Sequence, residues 1–151
     1  MKYVGYQGEL PVFVADSREE IEAVEHIVFD KIEEVERAEI VNGKVLLGAE
    51  VEAEKQVQIQ NQLTDAVQRV LDNKAQGLLY DNCLSVCSYI DTGVAKFDAE
   101  GKAFRAWRSA VWAKGYEILA QVQAGQRGIP TEAELIDELP ELVIVYDDAS
   151  A

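Results

Sequence analysis

At 151 residues, 48% of them hydrophobic, the chain is long enough for one ordinary domain or two small ones and too apolar for wholesale disorder. A formal net charge of −14, from 28 acidic against 14 basic residues, argues against nonspecific binding to nucleic acid or anionic membranes, whose phosphates need stripes of Lys and Arg. The acids gather at the ends: residues 1–54 hold 14 acids and 5 bases, residues 55–128 hold 7 and 9, and residues 129–151 hold 7 acids and no base.

Met1-Lys2-Tyr3-Val4-Gly5-Tyr6 leads into no apolar core of a leader peptide, so no secretory signal is expected, and no 18-residue apolar window suggests a membrane span. Tyr3–Tyr6 and Pro11–Ala15 read as short strands separated by Gln7-Gly8-Glu9. Ser17 with Glu20 three residues on is a capping box opening a short helix with Ile21 and Val24 on its apolar edge. Ile27–Phe29 return to strand composition, and Lys31 to Val41 alternates loosely through Ile32, Val35, Ile40 and Val41. Asn42-Gly43, between Ile40-Val41 and Lys44–Leu47, predicts a two-residue type I′ hairpin turn. A module of about fifty residues has a thin core and is expected to lean on the rest of the chain, a second copy or a partner.

Gly48–Glu54 reads as a boundary, after which the pattern turns helical. Val57, Ile59, Leu63, Val67, Val70 and Leu71 predict a long amphipathic helix running to Lys74 or beyond, with Gln and Asn on its other face. A second helix covers about Asn82–Ile90 and carries Cys83, Val86, Cys87 and Ile90; Asp91-Thr92-Gly93 breaks the chain. A third runs from Val94 or Phe97 to Gln123 and holds both tryptophans. Phe104, Trp107 and Val111 fall on one face, Trp112 widens the stripe, and Ile118, Leu119 and Val122 continue it. A stripe of such large side chains must be buried in its own core or on a partner. Gly101 and Gly115 interrupt this helix and suggest close helix–helix approach. Thr131 and Glu134, after Pro130, form a second capping box for a helix Glu132–Glu138, stopped by Pro140. Leu142–Tyr146 is an apolar run of strand composition before the acidic end Asp147-Asp148-Ala149-Ser150-Ala151.

The fold class expected is α+β: a small β-rich module with one short helix over 1–50, a helical domain of about three main helices over 56–140, and a strand-like segment with an acidic tail over 141–151. No catalytic constellation stands out. His26 is the single histidine, set among Glu22, Glu25 and Asp30 with no nucleophile nearby. Cys83 and Cys87, four apart on a helix, have poor disulfide geometry and read as reduced core thiols, too few for a zinc site. Glu33, Glu34, Glu36 and Glu39 lack the alternation of a calcium loop and read as a solvated face. Neither a phosphate loop nor a nucleophile elbow nor a dinucleotide fingerprint is present, so no enzyme activity, cofactor or metal is expected. Arg105 and Arg108 flank Trp107 and either pair or stack at an interface or snorkel over the tryptophans.

Several pieces of the helical part stand in a telling order: Tyr80, then Cys83-Leu84-Ser85-Val86-Cys87-Ser88-Tyr89, then Phe97 and Glu100, then Ala103-Phe104-Arg105-Ala106-Trp107-Arg108-Ser109-Ala110-Val111-Trp112. Val122-Gln123-Ala124-Gly125, Pro130-Thr131 and Leu139-Pro140 close the series. From about Gln56 to Pro140 the chain resembles the phage tail assembly chaperone family, whose core motif is an aromatic followed by Trp-Arg, a small or acidic residue and Ala-Val-Trp. Ser109 stands where an aspartate is common, so the salt bridge expected at that position has no acid to form it.

The resemblance implies a noncatalytic helper in the host bacterial cytoplasm that assists a tail-fibre or other tail protein to fold or trimerise. An alternative is a structural component retained in the virion as a cap on the fibre tip; an enzyme such as a small hydrolase lacks a nucleophile–base pair. Partners are then a tail protein and, through the aromatic face, a second copy, but neither nucleic acid nor membrane. Phe104, Trp107, Arg108, Val111, Trp112 and Tyr89 are the motif residues expected in the core or an interface. The hairpin carrying Ile40, Asn42, Gly43 and Val45 is expected to face the client, with the helical part as scaffold.

Overall fold

Alternating residues near the N-terminus and helical spacing after residue 48 produce the expected α+β order. The structure, a computed structural model, describes residues 1–147. It divides into two compact units that meet in sequence at Gln60 and Asn61.

The first unit is built on strands β1 (Lys2–Gln7) and β2 (Leu10–Ala15), helix α1 (Arg18–Glu22), and strands β3 (Lys31–Val35), β4 (Ala38–Val41) and β5 (Lys44–Leu47). β1 lies between β2 and β3, antiparallel to both, and β4 pairs with β5 in a separate two-stranded ladder. The turn between β4 and β5 is the one its sequence predicts. Asn42 and Gly43 both adopt positive φ, 50° and 77°, and Val41 pairs directly with Lys44. Val4, Tyr6 and Ala38 form the small core, with Val14, Val35, Val45 and Leu47 packed against it. Ser17 caps α1 by accepting from Glu20 N–H at 3.1 Å, but the Glu20 carboxylate reaches back to Asp16 N–H at 2.9 Å instead of to the cap residue.

Ile27–Phe29 form no strand. The reason is local packing: Phe29 lays its ring over Gly5 of β1, where any Cβ would overlap it, and meets Phe13 at a tilt, with ring centroids 5.8 Å apart. The following Asp30 N–H then donates to Tyr6 O at 2.8 Å.

The expected boundary at 48–54 is helical. Helix α2 (Ala49–Gly77) begins there, because Ala and Glu are strong helix formers and Glu50 and Glu52 suit the positive end of the helix dipole. Its apolar face also differs from the one expected. Val57 and Ile59 are exposed; Val51 in the first turn is fully buried, and Ala66, Val67, Leu71 and Ala75 are buried on the later turns.

The second unit adds α3 (Cys83–Cys87), α4 (Ala95–Gln123) and α5 (Glu132–Glu138) to the later turns of α2. Asn82 caps α3 by accepting from Ser85 N–H, and α5 carries the complete Thr131–Glu134 capping box. The core joins Val67, Leu71, Cys83, Val86, Phe104, Trp107, Val111, Ile118, Leu135 and Leu139. Gly101 lets α3 approach α4: a Cβ there would stand 2.8 Å from Ile90 Cγ1 and 3.0 Å from the Val86 carbonyl oxygen. Gly115 faces open space and serves no such purpose.

Leu142–Tyr146 runs without helix and pairs with no strand. Leu142 and Ile144 pack against the helical core while Val143 and Val145 point outward, so the period-two pattern is present without a ladder.

Candidate interaction site

The motif residues resolve into scaffold and surface. Phe104 and Val111 are fully buried, Trp107 nearly so, and Trp112 packs at the edge of the same core. Phe104 and Trp107 meet edge to face, with centroids 5.6 Å apart. The Trp107 indole Nε1–H donates to the Pro140 carbonyl at 2.6 Å, tying α4 to the chain that follows α5. Trp107 also forms one wall of an open cleft of about 320 Å³ shared with Val70, Lys74, Ile136, Leu139 and Leu142.

Arg108 makes no ion pair or aromatic contact among the described residues, and its Nε is buried without a hydrogen-bond partner. Ser109 turns inward to its own helix, its hydroxyl donating to the Arg105 carbonyl at 3.1 Å.

Tyr89 belongs to an aromatic group that the sequence motif scatters over eighteen positions. It sits edge to face with Tyr80 and Phe97, at 5.4 and 5.3 Å between centroids. Beneath them lies Glu100, 1% exposed. A buried carboxylate requires hydrogen-bond donors. Here the Tyr80 hydroxyl donates to one oxygen, the Tyr146 hydroxyl to the other at 2.7 Å, and Lys96 Nζ lies 3.7 Å away. Burial and the Glu100 carboxylate push the Tyr80 phenol up, and the bond to Glu100, then burial, does the same for Tyr146. Both tyrosines thus stay protonated donors through neutral pH. Sequence reasoning named Tyr80, Tyr89, Phe97 and Glu100 as motif pieces but gave Glu100 no role and did not bring them together, although Glu100 lies four and seven residues before Phe104 and Trp107, on the apolar stripe itself.

The two thiols are free, Cys83 buried and Cys87 partly so. Burial, and then the neighbouring Cys87, push the Cys83 thiol up to about 12, which leaves it protonated and a poor nucleophile. Its backbone N–H donates to Asp72 Oδ1 at 3.0 Å. His26 is exposed, and among the described residues no three His, Cys, Asp or Glu side chains gather as a metal site would need. Among the same residues no helix is long and apolar enough to cross a membrane.

The hairpin is anchored at its base and open at its side. Arg37, just before β4, pairs with Glu52 of α2, and Glu39 pairs with Lys55 at 2.6 Å. Asn42 Nδ2 donates to Glu54 Oε1 at 3.4 Å, a long contact. Ile40 and Val45 are cross-strand partners; Val45 packs against the small core, whereas Ile40 is 59% exposed. The hairpin therefore offers one large apolar side chain on a ladder held by ion pairs.

Comparison with protein families, with curated proteins and with solved structures finds no match to this chain.

Proposed function

We propose that the protein is a noncatalytic assembly chaperone for a bacteriophage tail component, with a tail-fibre protein as its client. The observation that carries this reading is the ordered motif from Tyr80 to Leu139-Pro140, centred on the Trp-Arg-Ser-Ala-Val-Trp run, which resembles that family. Fibre proteins are β-rich trimers whose non-local pairings form slowly and leave strand edges exposed, so a helper that covers an apolar edge suppresses misassembly. The burial of Phe104, Trp107 and Val111 supports a division of labour in which the motif builds a scaffold and the hairpin, through Ile40, meets the client.

Co-expression with the neighbouring fibre gene, followed by size exclusion of the soluble fraction, tests the role. A fibre that becomes soluble and trimeric only in the presence of this protein supports it. A fibre that is unaffected, with no complex formed, rejects the fibre as client. Ile40→Lys changes an exposed side chain and tests the hairpin: fibre yield falls while the variant itself stays folded.

A further inference from the structure

Helix α3 begins at Cys83 and ends at Cys87, so its two thiols span the whole element. Both are free, and four residues apart they share one face of the helix. Cys83 is fully buried in the helical core, and Cys87 packs half-buried against it, so the pair is reached through Cys87. The two sulfurs lie within hydrogen-bonding reach of one another. Spacing decides what can join them. Residues i and i+4 of a helix hold their Cβ atoms about 5–6 Å apart, whereas a disulfide needs about 3.5–4.5 Å. That gap is too wide for a sulfur–sulfur bond and suits one atom placed between two sulfurs.

Burial, then Cys87, hold the Cys83 thiol protonated; against them, Arg108 of α4 stands near enough for its charge to favour the thiolate, and the Asp72 carboxylate opposes it less strongly. The Arg108 Nε is buried without a hydrogen-bond partner. Asp72 is occupied elsewhere: it accepts from the Cys83 backbone N–H at 3.0 Å and from Gln68 Nε2 at 3.1 Å.

We infer that Cys83 and Cys87 form a two-coordinate site for a soft monovalent cation of the copper(I) class. Thiolates select soft ions of this kind. Zinc takes four ligands, and among the described residues no third His, Cys, Asp or Glu joins the pair. Charge chooses between a monovalent and a divalent ion. On binding, the ion displaces both thiol protons to solvent and forms two metal–sulfur bonds. A monovalent ion then leaves a complex of net charge −1, and a divalent ion leaves a neutral one. The former supplies a counter-charge to the Arg108 guanidinium and brings an anionic acceptor to the neighbourhood of its Nε–H. The bridge also has a structural consequence. A five-residue helix is too short to persist alone, and α3 rests on its Asn82 cap and on the close approach allowed by Gly101. An ion tying its first residue to its last staples that single turn and stabilises the helical unit by mass action. The site needs no tail-fibre client and stands apart from that role.

The test uses the full reduced chain under anaerobic conditions, titrated with copper(I) as its acetonitrile complex against a chromophoric copper(I) chelator. The expected result is one ion per chain, an ultraviolet thiolate-to-copper charge-transfer band and a rise in the thermal midpoint. Cys87→Ser, at the partly exposed position, removes all three while the protein stays folded. Cys83→Ala, which adds no unpaired polar group to the core, does the same. Arg108→Gln weakens copper(I) binding about tenfold and leaves binding of mercury(II), the divalent ion of the same geometry, unchanged. Failure to compete with the chelator, binding that survives Cys87→Ser, X-ray absorption showing three or more ligands, an Arg108→Gln variant that does not separate the two ions, or mild oxidation closing a Cys83–Cys87 disulfide would each overturn the proposal.

Discussion

The hydroxyl of Tyr146 donates to Oε1 of Glu100 at 2.7 Å, joining residues 46 positions apart in sequence. Glu100 would otherwise be a buried carboxylate with a single phenol and a distant ammonium for company. The bond thus does two things. It completes the satisfaction of a buried charge, and it fixes the end of an extended segment that has no ladder of its own. Tyr146→Phe removes one donor and leaves the ring in place. It is expected to cost about 1–2 kcal/mol in urea unfolding and to lower the amide order parameters of 142–146 as the segment loses its fastening. Unchanged stability and unchanged order parameters would show that water replaces the phenol at no cost.

The two glycines of α4 make opposite predictions. At Gly101 a methyl group meets Ile90 Cγ1 at 2.8 Å and a backbone carbonyl at 3.0 Å, and the carbonyl cannot rotate away as a side chain tip can. Gly101→Ala is expected to destabilise by about 1–3 kcal/mol through forced separation of α3 from α4. At Gly115 nothing lies within 4 Å of the added carbon. Gly115→Ala there removes backbone freedom from the unfolded chain without a clash and is expected to stabilise by about 0.5–1 kcal/mol. Thermal unfolding of both variants reads the signs; the same sign at both sites contradicts this account.

Arg127 and Glu138 clamp the turn between α4 and α5 through a paired contact, Nη1 to Oε2 at 2.8 Å and Nη2 to Oε1 at 2.6 Å. The guanidinium bond holds the Glu138 carboxyl below its ordinary value of 4.5. A carboxyl depressed by folding contributes stability above its unfolded value, and that contribution disappears as pH falls through the lower folded value. Wild type is therefore expected to unfold at higher urea than Glu138→Gln at neutral pH, with the difference shrinking as pH drops below 4.5. A difference that persists unchanged into acid would assign the effect to packing and not to charge.

Local chemistry made much of this fold readable, and distance hid the rest. Asn42-Gly43 and Thr131–Glu134 are self-contained signals, because the turn and the cap are made by the residues that spell them. The α4 stripe was equally legible, since Phe104, Trp107 and Val111 share a face by spacing alone. Other features depend on partners far along the chain. The β1–β3 pairing brings Lys2 opposite Val35, and Phe29 abandons strand geometry to cover Gly5. Leu142–Tyr146 has strand composition, but composition does not say whether a neighbour exists. Val57 and Ile59 matched a helical face without being buried by it, a reminder that periodicity ranks faces and packing chooses among them. In the candidate site, the exposed Ile40 and the paired turn residues were anticipated, whereas the Glu100 centre required knowing where Tyr146 ends up.

Trp107 is a core residue of the helical unit, and its substitution tests the proposed division between scaffold and client-facing hairpin. Its ring lies 7% exposed in the helical core, against Phe104, and its indole N–H is spent on Pro140. Trp107→Ala opens a large cavity and is expected to cost about 3–5 kcal/mol, enough to unfold a marginal domain. Any loss of client binding in that variant would therefore say nothing about contact. Trp107→Phe is the informative change, since it keeps an aromatic ring in the core and deletes only the outer ring and the N–H. It should unfold at modestly lower denaturant, free the Pro140 carbonyl and leave fibre solubilisation at the wild-type level. The alternative outcome is a folded Trp107→Phe protein, with native amide spectrum outside its immediate surroundings, that fails to bring the fibre into solution. The aromatic face would then be the client surface, and the roles assigned to the helical unit and the hairpin would have to be exchanged.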